Sequence, residues 1–206
     1  MESTPTRSAL LGAREERQVM GEGFRFLDEK RLLLAAEMTR QFALYRQARA
    51  HWLQQHQEAV AALQQALLRH GLQGLQLQSV PVDQEALLHQ EVRRFFGVAL
   101  LDKLTLERGK PEPLPEARLA LSPESILCRE AFAQLLALST ELAALSGNVQ
   151  RLLAEYKRTE RRARALEDVL LPELDERVHD MEIRLEEMDQ EEAVRVRLGR
   201  HQNPGG

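Results

Sequence analysis

Residues 131–174 read AFAQLLALSTELAALSGNVQRLLAEYKRTERRARALEDVLLPEL, and the spacing of their apolar positions decides the fold. Leu135, Leu138, Leu142, Leu145, Val149, Leu152, Tyr156, Ala163, Leu166 and Leu170 advance by alternating steps of three and four, with Thr159 as a polar gap. Such a heptad seam places these side chains on one stripe of a long helix, which must bury that stripe against another helix. The stripe continues as Leu174, Val178, Met181, Leu185 and Met188. Between Leu170 and Val178 the steps are four and four, a stutter, and Pro172 sits there. Proline removes one backbone donor and clashes with the carbonyl four residues back, so a bend or a loosened helix is expected at this point.

Upstream, Ser122-Pro123-Glu124 supplies an N-cap, a proline at the first helical position and an acid in the first turn. The partner stripe lies near the other end of the chain. Leu10, Ala13, Met20, Phe24, Leu27, Leu34, Met38, Tyr45, Ala48 and Trp52 fall on a second alternating series, broken by Arg17, Arg31 and Gln41. A capped start is expected between residues 4 and 8, and no proline occurs from Thr6 to Val80, with Gly71 and Gly74 as the first strong stops. That helix would hold about 65 residues and span roughly 100 Å at 1.5 Å per residue. A helix of this length exceeds what a small globular domain can hold, so it must either protrude or pair with another helix of similar length, and a candidate partner lies in the same chain.

Between them the pattern changes. Asp83 is placed to cap a short helix carrying Leu87, Leu88, Val92, Phe95 and Phe96 and ended by Gly97. Val98, Leu100, Leu104 and Leu106 then read as one strand face, and Ala117, Leu119 and Leu121 as a second strand, with the loop Arg108-Gly109-Lys110-Pro111-Glu112-Pro113-Leu114-Pro115 between. The expected fold is mainly α: a long antiparallel two-helix coiled coil of the N-terminal (5–70) and C-terminal (122–200) helices. A small helix plus β-hairpin module (71–121) lies between them, and a disordered tail (201–206) follows.

Composition agrees. Of 206 residues, 43% are apolar, 4% aromatic and 29% charged, the balance of long amphipathic helices and not of a thick aromatic core. The net charge of −4, from 28 Lys and Arg against 32 Asp and Glu, argues against nucleic acid as a partner, since phosphate neutralisation needs a cationic surplus. One cysteine, Cys128, makes neither a disulfide within the chain nor a thiolate zinc site alone, which fits a reducing compartment. The apolar runs fall short of the roughly 18 residues needed to cross a bilayer, and the first residues lack the basic and apolar regions of a signal peptide. A soluble, cytoplasmic chain with no direct membrane insertion is expected.

Catalytic constellations are lacking. Gly21-Glu22-Gly23 has no third glycine at Phe26 and no phosphate-binding Gly-Lys-Ser/Thr occurs, so no nucleotide cofactor is expected. His51 and His56 are five apart and share no helix face, and Glu85 with His89 make only two ligands, so no metal is expected. A basic belt (Lys157, Arg158, Arg161, Arg162, Arg164) and an acidic one (Glu186, Glu187, Asp189, Glu191, Glu192), with Arg195, Arg197 and Arg200 beyond, read as solvated faces or contact surfaces. Arg17 and Arg31 interrupt the apolar seam, where a charge costs stability unless its stem snorkels or it meets a partner.

One set of residues resembles a known family. Arg161-Arg162-Ala163-Arg164-Ala165-Leu166-Glu167-Asp168-Val169-Leu170-Leu171-Pro172-Glu173-Leu174, continuing to Ile183-Arg184-Leu185-Glu186-Glu187, resembles the carboxy-terminal signature of the D subunit of the V-type and archaeal-type rotary ATPases. Pro5-Thr6-Arg7 resembles its opening, the block from Gly23 to Arg31 its glycine-to-Lys-Arg segment, and Phe96-Gly97-Val98 the start of its hairpin. The resemblance implies a non-catalytic central-stalk rotor axle coupling ATP hydrolysis or synthesis to ion transport. Its implied partners are the A and B headpiece subunits, the small F subunit of the stalk and a membrane-rotor adaptor, and its implied setting is peripheral to the membrane. Thr6, Arg7, Arg195 and Arg197 are then candidates for contacts within the headpiece ring, Val98, Leu100 and Leu104 for contacts with the lower partners, and Arg17, Arg31, Arg161, Arg162 and Arg164 for partner contacts assigned to neither. A free-standing coiled-coil scaffold or dimerisation adaptor is the alternative that the seams alone allow.

Overall fold

The computed structural model describes residues 6–77, 87–107 and 122–202. Helix α1 spans Arg7–Leu77, strands β1 (Leu87–Phe95) and β2 (Val98–Glu107) follow, and α2 spans Pro123–Ala165. A π-helical turn, Leu166–Leu170, leads into α3, Leu171–Gln202. Two compact units divide the chain, one from residues 1–33 with 156–206 and one from residues 34–155.

In the first unit, α1 and the C-terminal helices run antiparallel. Arg7 meets Asp189, Arg14 meets Glu182 and Arg17 meets Asp175, so partners fall in number as α1 advances. Thr6 caps α1, its hydroxyl accepting the Ala9 N–H at 3.1 Å, which satisfies a donor the first turn leaves open. The seam is as the heptads require at Ala13, Ala163, Leu174 and Val178, which are buried, as is the polar gap Thr159; Met188, the expected last member of the stripe, is instead 49% exposed. The stutter resolves differently from the expected four-and-four steps. Leu170 is 41% exposed, and half-buried Leu171 takes its place on the stripe. From Leu166 to Leu171 the seam thus makes one step of five, and the Leu171 N–H bonds the carbonyl of Leu166, the wide turn of a π-helix. Beyond it Leu174, Val178, Met181 and Leu185 resume steps of three and four. The loosening expected at Pro172 is therefore a single inserted residue, which realigns the stripe just before the proline.

In the second unit, α1 and α2 again run antiparallel, with Gln41 opposite Asn148, Trp52 bonded to Ser139 and His70 to Ser122. Ser122 caps α2 as its sequence predicts, accepting the Ser125 N–H at 3.2 Å. Leu34, Ala59, Ala66, Leu135, Ala144 and Leu152 form the core. Gly71, the expected stop of α1, adopts φ 65° and ψ 172°, a break only glycine takes without strain, and helix resumes to Leu77.

The segment expected as a short helix over Leu87 to Phe96 is instead strand β1. It pairs with β2 in an antiparallel hairpin, Phe95 opposite Val98 and Arg93 opposite Leu100. Gly97 does not end a helix; with Phe96 it makes a two-residue turn at φ 46° and 88°, the positive pair a type I′ turn needs. A bulge between Glu91 and Val92 leaves Asp102 without an opposite residue. Register then alternates faces: Val98 and Leu100 lie with Arg93 and Phe95, whereas Leu104 and Leu106 lie opposite Gln90 and Leu88 on the other face. The four β2 residues expected on one face are thus divided between two. The expected cap Asp83, the strand at Ala117, Leu119 and Leu121, the loop at 108–115 and residues 203–206 lie outside the described residues.

Candidate functional site

The chemistry-bearing residues gather where the hairpin meets α1 and α2. Asn148, 1% exposed, points its amide at the backbone of Leu101: it accepts the Leu101 N–H and donates to the Leu101 carbonyl, both at 2.8 Å. It also donates to Gln41 Oε1 at 3.3 Å. Gln41 donates in turn to Glu37, and Glu37 pairs with Arg40 at 2.7 Å and with Arg93 at 3.0 Å. Arg93 reaches on to Asp102, the bulged residue, at 3.1 Å and lies over the Phe95 ring. One continuous polar network joins both helices to both strands.

Electrostatics follow from this geometry. The Arg40 guanidinium, hydrogen-bonded to Glu37, is the main cause holding that carboxyl down at about 2; burial opposes it, and Gln41 and Arg93 reinforce it. The Asp102 and Glu37 carboxylates raise Arg93 in return. An ion pair this well hydrogen-bonded tolerates burial that would expel a lone charge. Beside the network a groove of about 770 Å³ runs between β2 and the helices, lined by Leu44, Ala48, Leu104, Leu106, Ala144 and Leu145.

The residues expected from the sequence are scattered. Arg7 pairs with Asp189 at 3.0 Å, Arg17 with Asp175, and Arg31 with Asp28 of its own helix at 2.6 Å. The seam-breaking arginines thus meet acids of the same chain. Arg161 donates to the Lys157 carbonyl, Arg164 pairs with Glu160, Arg195 lies 3.7 Å from Glu191, and Arg162 and Arg197 are exposed. Thr6 is the α1 cap. Val98 and Leu100 are buried within the chain and Leu104 is half-buried in the groove wall. Sequence reasoning passed over Glu37, Arg93, Asp102 and Asn148. Gln41, a polar break inside an apolar seam, was the signal that a buried polar partner had to exist.

None of these arrangements brings together a nucleophile, a base and an orienting group. Among the described residues no group of three or more His, Cys, Asp or Glu is placed to hold a metal ion, and no helix is long and apolar enough to cross a membrane. Cys128 is buried, and burial pushes its thiol up. The site is structural: it fixes a β-hairpin arm to an antiparallel helix pair.

Comparison with known proteins places that architecture. Residues 9–199 match the family of the ATP synthase D subunit. The V-type ATP synthase D subunit of Anaeromyxobacter dehalogenans (strain 2CP-C) is 30% identical over 206 residues, covering 97% of this chain and 96% of the relative. The A-type ATP synthase D subunit of Methanoregula boonei is 27% identical over 197 residues (94% and 93%), and the V-type D subunit of Thermotoga neapolitana 24% over 200 residues (96% and 96%). The chain belongs to the ATP synthase D subunit family, and it is a structural stalk component of a V/A-type rotary ATPase, not a catalytic one. The free-standing scaffold alternative is not favoured: it would call for a symmetric parallel dimer, whereas the helices pair antiparallel within one chain.

Proposed function

We propose that the chain carries torque between an ATP-hydrolysing or ATP-synthesising headpiece, built of A and B subunits, and an ion-translocating membrane rotor. The terminal helices would meet the headpiece, and the hairpin unit would meet the small F subunit of the stalk and a rotor adaptor. The reading makes the chain peripheral to the membrane on its cytoplasmic side. The observation that carries it is apolar surface in the first unit: Leu11 and Val19 are more than half exposed beside the seam, and Val194 and Leu198 are so on α3 past Asp189, which meets the first residue of α1. A surrounding headpiece would cover such side chains, and the family match supports that setting.

Arg161, Arg162, Arg195 and Arg197 stand exposed on the C-terminal helices, and Thr6, Arg7, Arg17, Arg31 and Arg164 complete the proposed partner-contact set. Because Val98 and Leu100 are buried, they would act on the lower partners by holding the hairpin in place, with Leu104 at the groove edge. Purification of the tagged chain from its native cells tests the reading. Recovery of the A, B and F subunits with ATPase activity supports it, and recovery of a stable homodimer alone would sink it.

A further inference from the structure

The π turn has a counterpart on the opposite helix. A Cβ built on Gly23 would come no closer than 4.0 Å to Leu166 Cδ1, and Arg17 opposes Asp175, so Gly23 faces Leu166 and Gly21 lies at the level of the stretch from Leu166 to Pro172 with its own Cβ direction open. At one level of the helix pair, α1 carries two glycines, which favour helix least after proline, and its partner carries a π turn followed by a residue without an N–H. None of the five π-turn residues is buried, and a Cβ at Gly21 would meet nothing within 4 Å. Close packing therefore does not explain Gly21, and the inserted residue keeps the stripe in register while the turn that holds it stays unburied. Both helices are weakened at this level, while exposed ion pairs at Arg7, Arg14 and Arg17 bridge the helices on the side toward the chain ends.

We propose that Gly21–Gly23 and Leu166–Pro172 form one two-sided hinge, at which the helix pair of this unit bends and opens as a coupled element. A glycine turn or a π turn alone would loosen only its own strand of the pair. Set opposite each other, the two let both helices yield together, which gives a stalk a defined point of compliance between stiffer segments. That last consequence rests on the stalk reading; the hinge itself does not.

The seam supplies a way to remove one side. Deleting Val169 with Pro172→Ala turns the five-residue step into four and leaves unbroken heptads with every seam residue kept. Hydrogen exchange of the full-length chain is the readout. In the parent protein, amides at 19–27 and 168–176 should exchange faster than those three turns to either side. In the Val169-deleted Pro172→Ala variant, exchange at 19–27 on the unaltered helix should slow by about fivefold or more. Gly21→Ala with Gly23→Ala should do the reverse, slowing 168–176, and serves as an independent arm if the deletion fails to fold. Slowing confined to the altered helix in both variants, or amides at the hinge no faster than their flanks, would overturn the proposal. Co-purification with headpiece subunits reads the stalk assignment separately.

Discussion

Glu37 of α1 and Arg93 of β1 meet at 3.0 Å, and each holds a second charge, Arg40 for the carboxylate and Asp102 for the guanidinium. The hairpin is therefore tied to the helix by a chain of four charges, not by a single pair. Glu37 is 9% exposed, so solvent screens the pair little.

Its carboxyl is held at about 2 when folded against 4.5 when free. A depressed folded value contributes stability above pH 4.5 and loses it as pH falls toward 2, because the unfolded chain takes up the proton first. Between pH 6 and pH 3 this group alone should remove about 2 kcal/mol of unfolding free energy. Urea unfolding of the wild type and Glu37→Gln at both pH values checks it: the variant should start less stable and show a flatter dependence.

Asn148 offers a sharper test of the anchor. Asn148→Leu keeps the branched shape at a somewhat larger volume but leaves the N–H and carbonyl of Leu101 without partners, at a cost of about 1–3 kcal/mol for each group. A fall in Tm with early exchange of the β2 amides is expected. If only Tm moved, the anchor would not be what holds the strand.

The hairpin turn isolates a backbone effect. A Cβ on Gly97 would meet nothing within 4 Å, yet its φ is 88°. Gly97→Ala should therefore destabilise by about 1–2 kcal/mol through strain alone. Phe96→Asn relieves its positive φ but gives up the edge-to-face contact with Phe95 at 5.0 Å, so its Tm should stay within a few degrees of wild type.

Core and surface should separate cleanly. Leu152 is fully buried, and Leu152→Ala should cost about 2–5 kcal/mol. Arg17→Ala removes an exposed ion pair and should cost under about 1 kcal/mol. Chemical denaturation of both variants reads the contrast, and an Arg17 effect as large as that of Leu152 would mean the pair does more than decorate the surface.

The long elements were legible in the sequence because heptad spacing, caps and proline placement all agree: Leu34, Ala13, Leu152 and Ala163 sit where their stripes put them. The family was legible too, from the Arg161 to Leu174 block. Strand β1 was not, for a physical reason. Its Leu88 and Val92 face one side of the ribbon and Phe95 the other, so 88, 92, 95 and 96 show the three-and-four spacing of a helix. The bulge at Asp102 does the same to β2 by switching its apolar face midway. Leu170 falls one residue off the stripe because periodicity sees no π turn. The Glu37–Arg93 pair joins residues far apart in sequence, and no local pattern announces it.

The Asn148 amide also has a meaning for how the protein keeps company. Leu101 pairs with β1 through Val92, and its own N–H and carbonyl point away from that strand to Asn148. A two-stranded ribbon exposes such groups along its rims, where any extended peptide can zip on. Here a side chain from a helix impersonates the third strand and fills the berth. The chain thus closes that point of the rim to an incoming strand, a stray copy of itself included.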